Sequence, residues 1–270
     1  MTTRLETIVA TTRAAVSAAK ARVSASELER QAALHQPRRW AAALRKQGAS
    51  APAIIAEIKR ASPSKGVIRA DFDVAWLAGR YQSGGAAALS VLTDEPYFQG
   101  SLHNLELASG AAMLPCLRKD FMVDEYQIIE ARAHCADAIL LIAAALTDRE
   151  LKRFANAARE IALDVLVEVH TAAELDHVLD SLGETGADAI GVNNRDLKTF
   201  DVQLETSLEL AQRIPASVIR VTESGIFTAE DLIRMRDAGF DAFLIGESLM
   251  RQPDPGSALE ALLAAVVTTS

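Results

Sequence analysis

The sequence predicts a (β/α)8 (TIM) barrel of the α/β class with an N-terminal helical extension, and three observations predict it. From Pro52 onward, short β-branched or Leu-rich runs alternate with longer amphipathic stretches. The runs begin near Ala53, Ala87, Met113, Asp137, Asp164, Ala187, Ser217 and Asp241, at spacings of 23 to 34 residues. Several are apolar almost throughout, such as DAILLIA from Asp137 and DAFLIG from Asp241, as expected of parallel strands covered on both faces. Eight strand–helix units follow one another with no break in composition, and 270 residues suit one barrel plus a short extension. The rival doubly wound open sheet usually has fewer units, and no GxGxxG follows any run.

Residues 1–50 precede the alternation. Leu5, Ile8, Val9 and Val16 fall on one side of an amphipathic helix. Arg4, Arg13 and Arg22, opposed only by Glu6, lend this stretch the composition of an organellar transit peptide. The helical periodicity is the preferred reading, and no secretory signal is present, so the cytoplasm is the expected compartment. A capping box can form from Ser24 and Glu27 or from Ser26 and Glu29. Pro37 is expected to start a further short helix that stops at Gly48. These helices are read as packing on the 51–270 barrel as one structural domain. Within the barrel, Thr147-Asp148, Thr171 and Thr228 are helix starts, and Gly239 is a helix stop.

Composition excludes several classes. Half the residues are apolar, about a quarter are charged, and the net charge is −8 with no basic tract. That balance argues against disorder and against a nucleic-acid backbone as partner. The longest apolar run, Ala138 to Leu146, is too short to span a membrane. Cys116 and Cys135 are too few and too far apart for a metal finger or a disulfide scaffold, and read as core thiols. The five histidines show no metal-ligand spacing, so neither a metal nor a cofactor is expected.

Strand periodicity then selects the chemistry. Side chains at i and i+2 share a face, and barrel sites lie at the C-terminal strand ends. In AIIAEIKRASPSKG, the apolar face of Ile54, Ala56 and Ile58 suits helices, so Glu57 and Lys59 should point inward. By the same phase Lys119 points inward in LPCLRKDF, Glu168 and His170 in DVLVEVH, and Glu223 in VIRVTESG. His170 is expected at the rim. All these strands are odd-numbered, and alternate strands fill each layer of a barrel lumen. Two lysines and three glutamates are thus expected to converge at the top. A structural ion network is the competing reading for any one Glu–Lys pair. Five such groups at the catalytic end favour acid–base chemistry.

Ser62-Pro63-Ser64-Lys65-Gly66 follows strand one, Glu223-Ser224-Gly225 ends strand seven, and Gly246-Glu247-Ser248 follows strand eight. Loops seven and eight of a barrel, with a helix N-terminus, form a recurrent phosphate cradle, so a phosphorylated small molecule is the expected ligand. Strand six ends in GVNNRDL, where Asn193 reaches the lumen and Arg195 stands ready for a carboxylate.

The motifs EIKRASPSKG, LRKDFMVDEYQI, LVEVH, IGVNNRDL, TESGI and LIGESLM occur in the order and spacing of a known family. In them the chain resembles the indole-3-glycerol phosphate synthases of tryptophan biosynthesis over essentially its whole length. The resemblance implies a carboxy-lyase acting on 1-(2-carboxyphenylamino)-1-deoxyribulose 5-phosphate, with ring closure, loss of carbon dioxide and dehydration, and no cofactor. It implies Lys119 as general acid, Glu168 as general base, and Lys59 as an alternative acid. Glu57, Asn193 and Glu223 would orient the substrate and the lysines. Arg195 would lie near the anthranilate carboxylate, and Phe98 would wall the aromatic ring. Ser62, Ser224, Gly225, Gly246 and Glu247 would form the phosphate site, with position 247 contributing its backbone N–H. A monomer is expected. Two other functions stand against this one: a Schiff-base, aldolase-like barrel using Lys59 or Lys119, and a non-catalytic barrel that binds a phosphorylated ligand.

Overall fold

The computed structural model describes residues 3–196 and 201–269. Eight parallel strands close into a barrel in sequence order: Ala53–Ile58, Ala88–Leu92, Cys116–Lys119, Ala138–Ile142, Asp164–Val169, Ala189–Asn193, Ile219–Glu223 and Ala242–Ile245. The first strand pairs with both the second and the eighth, Glu57 opposite Ser90 and Ala56 opposite Ile245. A helix follows every strand.

The period of two divides the core into two layers. Ile54, Ala56, Ile58, Val165, Val167 and Val169 join the outer cluster under the helices. Ile55, Leu117, Leu140, Leu166, Val221 and Leu244 fill the lumen. At these strands each face has the partner the sequence phase assigns to it. Helix starts also follow the predicted caps. Thr147 and Thr228 form capping boxes with Glu150 and Asp231, and Thr171 accepts the N–H of Glu174.

The amino-terminal ends of the strands are tied by a device the sequence reading passed over. Asp137, Asp188 and Asp241, each next to the start of its strand, accept the backbone N–H of Cys116, Val165 and Arg220 on the preceding strand. Each aspartate gives a strand-start N–H its acceptor, and at Cys116 that donor is buried. Asp164 instead accepts the N–H of Ala41, in the third helix of the extension.

That extension comprises α1 (Arg4–Arg22), α2 (Ala25–Ala32) and α3 (Trp40–Gly48). Ile8, Thr12 and Val16 are the buried face of α1, while Leu5 and Val9 are half-buried. Ser24 caps α2 through the N–H of Glu27, which settles the choice between the two serines. The third helix begins at Trp40 rather than at Pro37. Arg38 and His35 are drawn onto Asp137, and Arg39 takes a left-handed backbone, so helical geometry starts only beyond them. Fully buried Trp40 and Leu44 then pack with the lumen cluster. Cys116 is a core thiol as expected, but Cys135 is only half-buried, on a left-handed turn after a helix. Among the described residues, no helix is long and apolar enough to cross a membrane.

Candidate active site

A pocket opens at the carboxyl ends of the strands, and the thirteen residues that the resemblance assigns to the site line it: Glu57, Lys59, Ser62, Phe98, Lys119, Glu168, Asn193, Arg195, Glu223, Ser224, Gly225, Gly246 and Glu247. The last residue of the IGVNNRDL motif, Leu197, lies outside the described residues. Arg4, Leu5 and Ile8 of α1 add to the wall, and Arg4 donates to Pro63 O at 3.3 Å. The sequence marked α1 as amphipathic and able to lid one mouth of the barrel, but did not say which.

The charged centre is built by odd strands. The Lys119 ammonium lies 2.7 Å from Glu168 Oε2 and 3.3 Å from Glu223 Oε2. Lys59 pairs with Glu57 two residues before it. Burial works against the Lys119 charge, but Glu168, Glu223 and Glu57 outweigh it and hold the lysine above its ordinary range. Burial pushes the Glu168 carboxyl up, yet Lys119 and His170 overcome it and bring it down to about 2. The Glu223 carboxyl moves the other way, to about 8. Burial drives that rise, Lys119 opposes it and Glu168 adds to it. Both carboxyl groups meet on Lys119. The same surroundings thus push the two glutamates in opposite directions, Glu168 toward the ionised form and Glu223 toward the protonated one.

Two glycines admit these side chains. A Cβ at Gly191 would overlap Glu223 Oε1, and a Cβ at Gly246 would overlap the Glu57 carboxylate. The sequence reading gave Gly246 to the phosphate site alone; here it also makes room for Glu57. It precedes the short helix Glu247–Met250, whose first N–H groups have no intrahelical acceptor. The Glu247 carboxylate is drawn aside, 3.0 Å from Arg251 Nη2 and 3.7 Å from Arg195 Nη2.

Asn193 Oδ1 accepts from Arg195 N and Ser224 Oγ, both at 3.0 Å, tying loop six to loop seven. The next residue, Asn194, was not singled out. Its buried amide donates to Thr222 Oγ1 and to the Glu223 and Ser224 carbonyls, and accepts Ser207 N. It fixes the backbone that carries Glu223. Ser62 and Gly66 pair across a short hairpin, while Lys65 at its turn is exposed and does not line the pocket.

On the apolar side, Phe98 faces Phe121 with ring centres 6.3 Å apart, an aromatic wall suited to a planar ring. The sequence analysis missed Phe121. Its loop is anchored by Arg118, which points away from the lumen to Asp120 at 2.9 Å, Glu130 at 3.0 Å and Gln127 O at 2.9 Å. His170 lies in phase with Glu168 yet does not line the pocket, because Glu174 holds its Nδ1 at 3.2 Å. Among the described residues, no group of three His, Cys, Asp or Glu side chains is placed to hold a metal ion.

The arrangement offers a cationic acid, an ionised base, an aromatic wall and an anion-compatible rim in one cleft. The family model for indole-3-glycerol phosphate synthase matches residues 5–262. A protein of that name from Koribacter versatilis is 52% identical over 263 residues, 97% of this chain and 100% of its own length. Another of that name, from Laribacter hongkongensis, is 52% identical over 96% of this chain and 98% of its own. More distant solved structures share the fold alone. The 3-hexulose-6-phosphate synthase of Salmonella typhimurium aligns with a TM-score of 0.62 at 10% identity, over 81% of this chain and all of its own. The thiamine phosphate pyrophosphorylase of Pyrococcus furiosus aligns at 0.59 and 17%, over 83% of this chain and 98% of its own. With a family match across nearly its whole length and full-length relatives at half identity, the chain belongs to the indole-3-glycerol phosphate synthase family.

Proposed function

We propose that the chain converts 1-(2-carboxyphenylamino)-1-deoxyribulose 5-phosphate into indole-3-glycerol phosphate, carbon dioxide and water, with Lys119 as general acid and Glu168 as general base. The observation that carries the assignment of roles is the Lys119 ammonium held between Glu168 and Glu223 under the pocket mouth. Lys119 enters the reaction charged, so it has a proton to give to the substrate carbonyl as the aromatic carbon attacks. A positioned acid of this kind typically contributes about 10²–10⁴-fold. Glu168, held ionised, then accepts the proton lost as the ring regains aromaticity and water departs. Glu57 holds Lys59 beside the same space as the alternative acid.

Binding follows from the rest of the lining. Phe98 and Phe121 take the anthranilate ring, and Arg195 takes its carboxylate. The phosphate sits against Ser62, Ser224, Gly225 and the N–H groups at Gly246 and Glu247, where backbone donors favour an anion. On this reading the chain works in the cytoplasm, as a monomer and without a cofactor. Sedimentation of the purified protein and turnover in excess chelator check the last two points.

A Schiff-base mechanism needs a neutral lysine, and Glu168 beside Lys119 holds it charged. Borohydride trapping with a carbonyl substrate is therefore expected to leave no adduct on the protein. The decisive assay is indole fluorescence after addition of the substrate. Fluorescence is expected to rise, and Lys119→Ala to lower turnover by more than about tenfold while substrate still binds. Full turnover in Lys119→Ala refutes the acid assignment. Substrate bound by folded protein without any rise refutes the activity.

A further inference from the structure

Strand five is followed by a histidine whose two ring nitrogens face different carboxylates. His170 Nδ1 lies 3.2 Å from Glu174 Oε2, and the same oxygen accepts the His170 backbone N–H at 2.8 Å. Glu174 is fixed in turn, its own N–H given to the helix cap Thr171. This grip turns Nε2 back toward the barrel. There it is buried, without a hydrogen-bond partner, 3.4 Å from Glu168 Oε1. The outer edge of the ring lines a separate cleft with Thr171, Thr206, Glu209 and Arg213.

Glu168 and Glu223 both touch Lys119, at 2.7 and 3.3 Å. Lys119 donates to Glu168 and stands farther from Glu223, so it already favours Glu168 as the ionised partner. The imidazole stands beside one of them, Glu168. We propose that His170 is a positioning residue for Glu168: clamped by Glu174, its imidazolium orients the Glu168 carboxylate and helps keep the proton on Glu223, so that Glu168 serves as the base. This deepens the function proposed above and rests on Glu168 being the base.

The surroundings of the ring support a cation. Burial disfavours the charge, but the Glu174 hydrogen bond and the charges of Glu168 and Glu174 raise the ring above its ordinary value. Glu168 on strand five, Glu174 on the helix after it and the carboxyl of Glu223 on strand seven surround the ring, and Glu209 and Arg213 line the outer cleft with it. Lys119 lies beyond Glu168 on strand three. An opposite charge at this distance lowers a carboxyl, and its removal raises it.

His170→Asn retains an N–H for Glu174 and removes Nε2 and the charge. Expected are a fall in kcat of about tenfold with KM changed by less than about twofold, and an acidic limb of the kcat profile displaced upward by about one pH unit. In a Glu168→Gln background, His170→Asn is expected to lower kcat no further, since a residue acting through Glu168 then has nothing to act on. His170→Gln replaces it if His170→Asn does not fold, with the same expectations. An unmoved acidic limb overturns the proposal, even if the melting temperature falls, and so does an undiminished loss in the Glu168→Gln background. Wild-type kcat in Glu168→Gln alone overturns the assignment of the base instead, so the two failures are distinguishable.

Discussion

Glu223→Gln tests the distribution of charge across the site, because the structure makes the two glutamates unequal. Glu223 is 1% exposed, its Oε1 has no hydrogen-bond partner, and burial lifts its carboxyl to about 8 against the pull of Lys119. At neutral pH the balance thus favours the protonated form of Glu223. Glutamine copies that neutral state and shape. Turnover at pH 7 is therefore expected to stay within about tenfold of the parent, whereas Glu168→Gln, which removes the base, loses about 10²–10⁴-fold with little change in substrate binding.

Stability supplies a second readout with a definite sign. Between the ordinary value of 4.5 and about 8 the folded state keeps a proton on Glu223 that the unfolded chain releases. The contribution is fully present below pH 4.5 and is lost as pH rises through 8, at up to about 1.4 kcal/mol per pH unit. Glu168 acts in the opposite direction and lower: its contribution is present above 4.5 and is lost as pH falls toward 2. Urea unfolding at pH 6, 7 and 8 should thus show the parent losing stability more steeply than Glu223→Gln. The reasoning is refuted if Glu223→Gln loses as much turnover as Glu168→Gln, or if the two stability profiles run parallel.

Gly246→Ala places a Cβ against the buried Glu57 carboxylate; crowding of this kind costs about 1–3 kcal/mol. It is expected to lower kcat/KM by displacing Glu57 from Lys59, and unchanged kinetics would show that the strand ends yield freely. Asp137→Ala removes a fully buried carboxylate that accepts Arg38 N, Nε and Nη2, Cys116 N and a His35 ring nitrogen. Breaking such a buried pair costs about 3–5 kcal/mol, roughly 6–20 °C in a chain of this size. Calorimetry should record that drop with kcat unaffected at 25 °C, and a loss under about 1 kcal/mol would assign the network no structural weight.

What the sequence determined by itself is the direction of side chains along each strand. Alternation is a property of the extended backbone, so an apolar series such as Ile54, Ala56 and Ile58 fixes the opposite face without reference to any other strand. Glu57, Lys119, Glu168 and Glu223 were legible for that reason, as were the capping threonines, whose bonds reach only three residues along the chain. His170 marks where the rule ends. The strand stops at Val169, and Glu174 of the next helix holds the ring's Nδ1, so the ring meets Glu168 without lining the pocket.

Tertiary structure alone decided who meets whom. The sequence carries two lysines and three glutamates with no indication of their pairing. Closure of the barrel and the register of its strands bring Lys119 to Glu168 and Glu223, while Lys59 pairs with Glu57. The reach of α1 to the mouth, the loop that Arg118 holds under Phe121, and the strand-start aspartates likewise join residues far apart in the chain or in different elements. Direction is set by local backbone geometry. Partnership, and with it the state of each proton, is set by distances and burial that exist only once the barrel has closed.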